Sequence, residues 1–100
     1  MSTDTVNNID LTPGQARFAL LIEPYPSFSV YWDWEKRECN PDAIEAGLPA
    51  MSHSEQIMLK FFWSVWLHKD KDFNFIDAAN ILDRSYMKII TGWMNDPFWP

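Results

Sequence analysis

The sequence predicts an α+β fold that is mostly helical: a single compact domain in which a short strand or β-hairpin packs on three to five helices around a central apolar helix at about residues 53–68. Three observations predict it. Ile57 to Leu67 is apolar except for Lys60 and Ser64, Phe28 to Glu35 alternates with a period of two, and four further segments carry helix-start or helix-period signals. One hundred residues suffice for one domain, and a sheathed central helix would use much of its core.

Met1 to Asp10 is polar and without periodicity, which predicts a mobile tail and leaves residues 11–100 as the globular part. Thr12-Pro13-Gly14-Gln15 then reads as a helix start, with Thr at the cap, Pro at the first helical position and Gln three after the cap. The segment that follows has two readings. Ala16 to Ile22 suits a short apolar helix, while Phe18, Leu20 and Ile22 also alternate as in a strand.

Phe28, Val30, Trp32 and Trp34 alternate with Ser29, Tyr31, Asp33 and Glu35, the clearest strand signal in the chain. Its partner would be residues 17–22 if those are extended, through a turn at Glu23 to Ser27; otherwise no local partner is evident. Asn40-Pro41-Asp42 predicts a helix through Ala46 that ends at Gly47, with Pro49 beyond it.

Ser52-His53-Ser54-Glu55 is a capping box that opens the central helix. Gln56, Lys60, Ser64 and His68 then recur every fourth residue, so this helix has one thin polar stripe and is apolar elsewhere. It must be wrapped. A membrane span would need about 20 apolar residues, which predicts a chain that does not enter the membrane.

Two helical patterns follow, Asp77 to Asp83 and Ser85 to Met94. In the second, Met87, Ile90, Trp93 and Met94 make the expected buried face, with Lys88, Thr91 and Asn95 outward. The closing Asp96-Pro97-Phe98-Trp99-Pro100 is an aromatic tail expected to fold back on the core, because bare Phe and Trp at a terminus would cost solubility.

Three constellations invite chemistry, and each has a plainer explanation. Asp70, Asp72 and Asn74 match the first, third and fifth positions of a calcium loop, but Phe75 replaces the turn Gly and Ile81 the bidentate Glu, so no metal is expected. Ala79, Leu82, Ser85 and Ile89 sit where a helix-turn-helix spanning residues 76–94 wants them, yet the outward face offers only Lys88 among strong phosphate donors. Cys39 with His53 or His68, oriented by Asp70 or Glu38, lacks an oxyanion hole or a nucleophile turn. No catalysis and no cofactor are expected. Cys39 is the sole cysteine, which excludes an internal disulfide, and the polar start shows no signal peptide, so a cytoplasmic location is expected.

Composition points towards binding. Six Trp, three Tyr and seven Phe exceed what a small core usually needs, and Trp and Tyr concentrate where binding energy does. The net charge of −6 is uneven: residues 1–50 hold eight acids against Arg17, Lys36 and Arg37, whereas the second half is nearly neutral. With no Lys/Arg cluster, direct nucleic-acid binding is not expected. An acidic face would instead meet a protein partner, including one with a basic nucleic-acid groove.

The expected contact residues are Tyr31, Asp33, Glu35 and Glu38 beside the best strand, with Phe98 and Trp99 of the tail as the other candidates. The profile is that of a small acidic protein-binding module, such as a phage- or plasmid-type stoichiometric inhibitor of a host nucleic-acid-handling enzyme or defence complex, of the anti-CRISPR or antirestriction kind. The alternatives are a helix-turn-helix regulator and a structural or oligomerisation subunit, with a homodimer compatible with either.

Overall fold

Five of the six α-helices in the structure, a computed structural model describing residues 10–100, start on a side chain that accepts an amide proton. At the first, the Thr12 hydroxyl accepts from Gln15 N at 3.1 Å and the Gln15 side chain accepts from Thr12 N at 3.1 Å. This reciprocal cap decides the ambiguity at residues 17–22 in favour of helix α1, Pro13–Ile22, which buries Phe18, Ala19 and Ile22. The tail expected over Met1 to Asp10 lies outside the described residues except for Asp10, whose carbonyl accepts from Arg37 Nη1 at 2.9 Å.

The long strand expected over Phe28 to Glu35 is not formed. Pro26 instead starts a single helical turn, α2 (Pro26–Ser29), in which Val30 N donates back to Pro26 O at 3.3 Å. Phe28 is buried from that turn, whereas Val30 is 72% exposed, so the alternation there is not a sheet face. Only β1, Trp32–Asp33, is extended. Its partner is neither residues 17–22 nor absent: β2, Glu38–Cys39, returns antiparallel after the turn Trp34 to Arg37, pairing Trp32 with Cys39 and Asp33 with Glu38. Asp33 Oδ1 accepts from Lys36 N at 3.1 Å within that turn, and Arg37 takes a left-handed φ of 55°.

Asn40 caps α3, Pro41–Gly47, as its sequence predicts. The helix ends at Gly47 as expected, but with a right-handed φ of −83°, and the chain runs on into a 3-10 turn at Leu48–Ala50. A different need explains glycine here: the Tyr31 hydroxyl lies where a Cβ would be, with the ring carbon that bears it only 3.1 Å from that point.

The central helix α4, His53–Leu67, opens with the predicted capping box, Ser52 N donating to Glu55 Oε1 at 2.9 Å and Glu55 N to Ser52 Oγ at 3.2 Å. It buries Ile57, Met58, Leu59, Phe61, Phe62, Trp63 and Val65. Gln56 and Ser64 of its polar stripe are half-buried and engaged. Gln56 Nε2 donates to Met51 O at 3.1 Å before the helix, and Ser64 Oγ accepts from Lys71 N at 2.9 Å after it. His68 ends the helix in the left-handed region at φ 57°, its N–H donating to Val65 O and Ser64 O.

Asn74 caps α5, Phe75–Ile81, and Asp83 caps α6, Arg84–Asn95. Both helices start earlier than their apolar patterns suggest. Ile90 is the buried centre of α6 with Met87 and Trp93 half-buried, but Met94, expected inside, is 53% exposed. One hydrophobic cluster gathers residues from every helix, with α4 at its centre. No helix of the described residues is long and apolar enough to cross a membrane.

Candidate protein-binding surfaces

The small hairpin sorts its side chains by face. Trp32 is buried and its cross-strand neighbour Cys39 half-buried, while Asp33 and Glu38, one residue away on each strand, point to the other side and are exposed. Around them lies an open groove of about 660 Å³ lined by Tyr31, Trp34, Glu35, Lys36 and Asn40 as well as by the two strands. The four hairpin-end residues singled out by sequence, Tyr31, Asp33, Glu35 and Glu38, are thus brought together.

Their environment differs from the expectation in two respects. Tyr31 is half-buried and packs on the core, with its hydroxyl seated on Gly47, so it is a wall of the groove rather than a free ring. The turn also carries Lys36 and Arg37, and the Arg37 guanidinium is directed to the Asp10 carbonyl. None of Asp33, Glu35 and Glu38 forms an ion pair among the described residues, where Arg17 pairs with Asp96 at 3.2 Å and His53 Nε2 shares a hydrogen bond with Asp77 at 2.8 Å.

The inner face of the hairpin is aromatic. Trp32 and Trp66 meet edge to face with centroids 6.2 Å apart, and Trp34 meets Trp66 at 6.1 Å. The indole N–H groups of Trp32 and Trp63 are buried without a partner, a desolvation cost of about 1–3 kcal/mol each. Burial pushes the Cys39 thiol above its ordinary range, and the nearby Glu38 charge adds to the push. The Trp63 indole lies beside that thiol, but its N–H makes no hydrogen bond. A nucleophilic cysteine needs the opposite environment.

Phe98 and Trp99 are placed apart from the hairpin residues. The tail folds back as expected: Trp93 Nε1 donates to Phe98 O at 3.0 Å, the Arg17 guanidinium lies 4.5 Å from the Phe98 ring centre, and Gly14 leaves room for the Trp99 carbonyl. Phe98 is half-buried. Trp99 stays 55% exposed, edge to face with Trp93 and with the His68 ring, each at 5.3 Å.

Trp99 lines a second groove that the sequence did not suggest. About 490 Å³ in volume, it is walled by Phe61, Val65, Phe73, Phe75, Trp93 and Met94. The signals for it were Phe75 and Met94, each at an end of its helix where a periodic face is hardest to assign.

The other motifs dissolve into local structure. Asp70 Oδ1 accepts from Phe73 N at 2.9 Å and Asn74 Oδ1 from Asp77 N at 2.8 Å, so two oxygens of the calcium-like loop hold a turn and a helix start. No cluster of three or more His, Cys, Asp or Glu with metal-binding geometry occurs among the described residues. His53 pairs with Asp77 at one end of α4 while His68 caps the other, a separation of about 22 Å along the helix. In the helix-turn-helix segment, Ala78 is the buried small residue and Ala79 is exposed, and Asp83, not Ser85, is the cap. The chain matches no protein-family model, no curated protein and no solved structure.

Proposed function

We propose that this chain is a small acidic protein-binding module whose hairpin end docks on a basic surface of a protein partner. Asp33, Glu35 and Glu38 supply steering charge, and the half-buried Tyr31 gives the groove a rigid wall. The observation that carries this reading is the direct opposition of Asp33 and Glu38 across the β1–β2 ladder. Like charges at that position destabilise a hairpin, and a chain that retains a local conflict of this sort commonly does so at a functional site.

A nucleic-acid groove is the basic surface that such a patch fits best, because it is built to hold an acidic chain. The module would then act as a stoichiometric competitor of nucleic acid on an enzyme or defence complex, as small phage- or plasmid-type inhibitors do. The direct nucleic-acid reading has less support: α6 presents only Arg84 and Lys88 as exposed cations.

Capture from a bacterial lysate on the immobilised chain, repeated with added duplex DNA and with the Asp33→Lys/Glu35→Lys variant, tests the reading. Recovery of a nucleic-acid-handling protein that DNA displaces and the variant fails to hold supports it. A captured set that neither DNA nor the charge reversal changes overturns it.

A further inference from the structure

The α5–α6–tail side of the molecule presents Phe75, Met94 and Trp99, which are 58%, 53% and 55% exposed. All three line the apolar groove over the end of α4. We infer that this face is a homodimer interface, occupied by a second copy of the chain.

Charge selects that occupant. The chain carries −6 overall, so two copies repel unless they meet where neither presents net charge. Among the groove's lining residues the Lys and Asp charges are those of Lys69 and Asp70, which cancel. A basic partner would find nothing here to steer it. Lys69 and Asp70 are also adjacent, exposed and of opposite sign, and Lys69 has no acid within ion-pair distance among the described residues. Across a two-fold axis the same pair on the other copy presents the complementary order, as an isologous interface requires.

The area is adequate. A large side chain exposes roughly 150–250 Å² when free, so these three leave about 300 Å² of apolar surface open on each copy. With a polar rim of similar size, that reaches about 600 Å² per partner, the lower end of the range for a specific interface. The rigid edge-to-face packing of Trp99 on Trp93 and His68 means that little ordering is required on association. The inference is independent of the hairpin reading, since it concerns the chain alone.

Sedimentation equilibrium of the full chain over a wide dilution series tests it, with Phe75→Asp and Lys69→Glu measured beside the parent. The parent should move from the mass of two chains towards that of one as it is diluted. Phe75→Asp should raise the dissociation constant by about tenfold or more, by burying an unpaired carboxylate. Lys69→Glu, which turns the complementary pair into two acids, should weaken the dimer and restore part of it at high salt. Circular dichroism and thermal melting confirm that both exposed-site variants are folded. A constant single-chain mass overturns the inference and leaves the face to a different protein or an apolar small molecule. A dimer that both folded variants leave intact overturns it equally.

Discussion

Asp33 and Glu38 face each other directly across the only ladder among the described residues, two carboxylates on the wet side of a hairpin with two residues in each strand. Asp33 has a second task, since its Oδ1 accepts from Lys36 N and shapes the turn. The two contributions can be separated by chemistry, because an amide keeps the acceptor and loses the charge.

Asp33→Asn and Glu38→Gln should therefore leave the fold intact and raise its stability by about 0.2–1 kcal/mol each. The same variants should associate more slowly with the captured partner, with the loss largest at low salt. Urea melts paired with surface plasmon resonance give both numbers on one sample. Variants that are less stable than the parent would show that the carboxylates serve the hairpin itself.

The centre of the molecule should be intolerant of truncation. Phe62 is fully buried against Phe18, Phe28 and Phe61, and Phe62→Ala should cost about 3–5 kcal/mol, as should Trp63→Ala. That approaches the whole stability of a small domain. A melting temperature within a few degrees of the parent's would contradict the central position of α4.

The aromatic tail rests on a glycine. At Gly14 a Cβ would overlap the Trp99 carbonyl, and the obstacle is backbone that cannot rotate away. Gly14→Ala should lift the tail, lower stability by about 1–3 kcal/mol and shift tryptophan emission to the red as Trp93 and Trp99 are wetted. If the emission is unchanged, the tail does not depend on that seat.

Acid should loosen the start of α6. Hydrogen bonds from Tyr86 N at 2.9 Å and the Ser85 hydroxyl at 2.8 Å hold the Asp83 carboxyl below its ordinary range. A group whose pKa is lowered in the folded state contributes stability above its unfolded value and loses it as the pH falls through the folded one. Stability should thus decline below about pH 4, and less steeply in Asp83→Asn, which keeps an acceptor that does not titrate. Denaturation at matched pH would show equal slopes if other carboxylates carry the acid sensitivity.

The parts of this fold that were legible in the sequence are those settled within four residues. Thr12 with Gln15, and Ser52 with Glu55, close on themselves, so the caps identify helix starts without knowledge of the rest. Segment 28–35 misleads because its alternation is assembled from three structures: Phe28 is buried by a helical turn, Trp32 by a strand, and Trp34 packs from the hairpin turn. The β2 partner was invisible for a related reason. Trp34-Glu35-Lys36-Arg37 contains no Gly, Asn or Asp, and the left-handed position falls on Arg37. The acidic cluster was legible because its members are close in sequence, whereas the Phe75–Met94–Trp99 groove joins residues that only packing brings together.

A rod that is oily on every side has no preferred angle about its own axis, and dispersion forces alone would let α4 settle at several. Gln56 and Ser64 remove that freedom, for they lie on one line eight residues apart and each fastens a different flanking loop. A turn of the rod through one residue's angle, about 100°, would break both fastenings together and gain almost nothing in burial. The stripe works as the key of a lock rather than as a wet edge. Its loss would show less in how strongly the chain folds than in whether it folds to one arrangement.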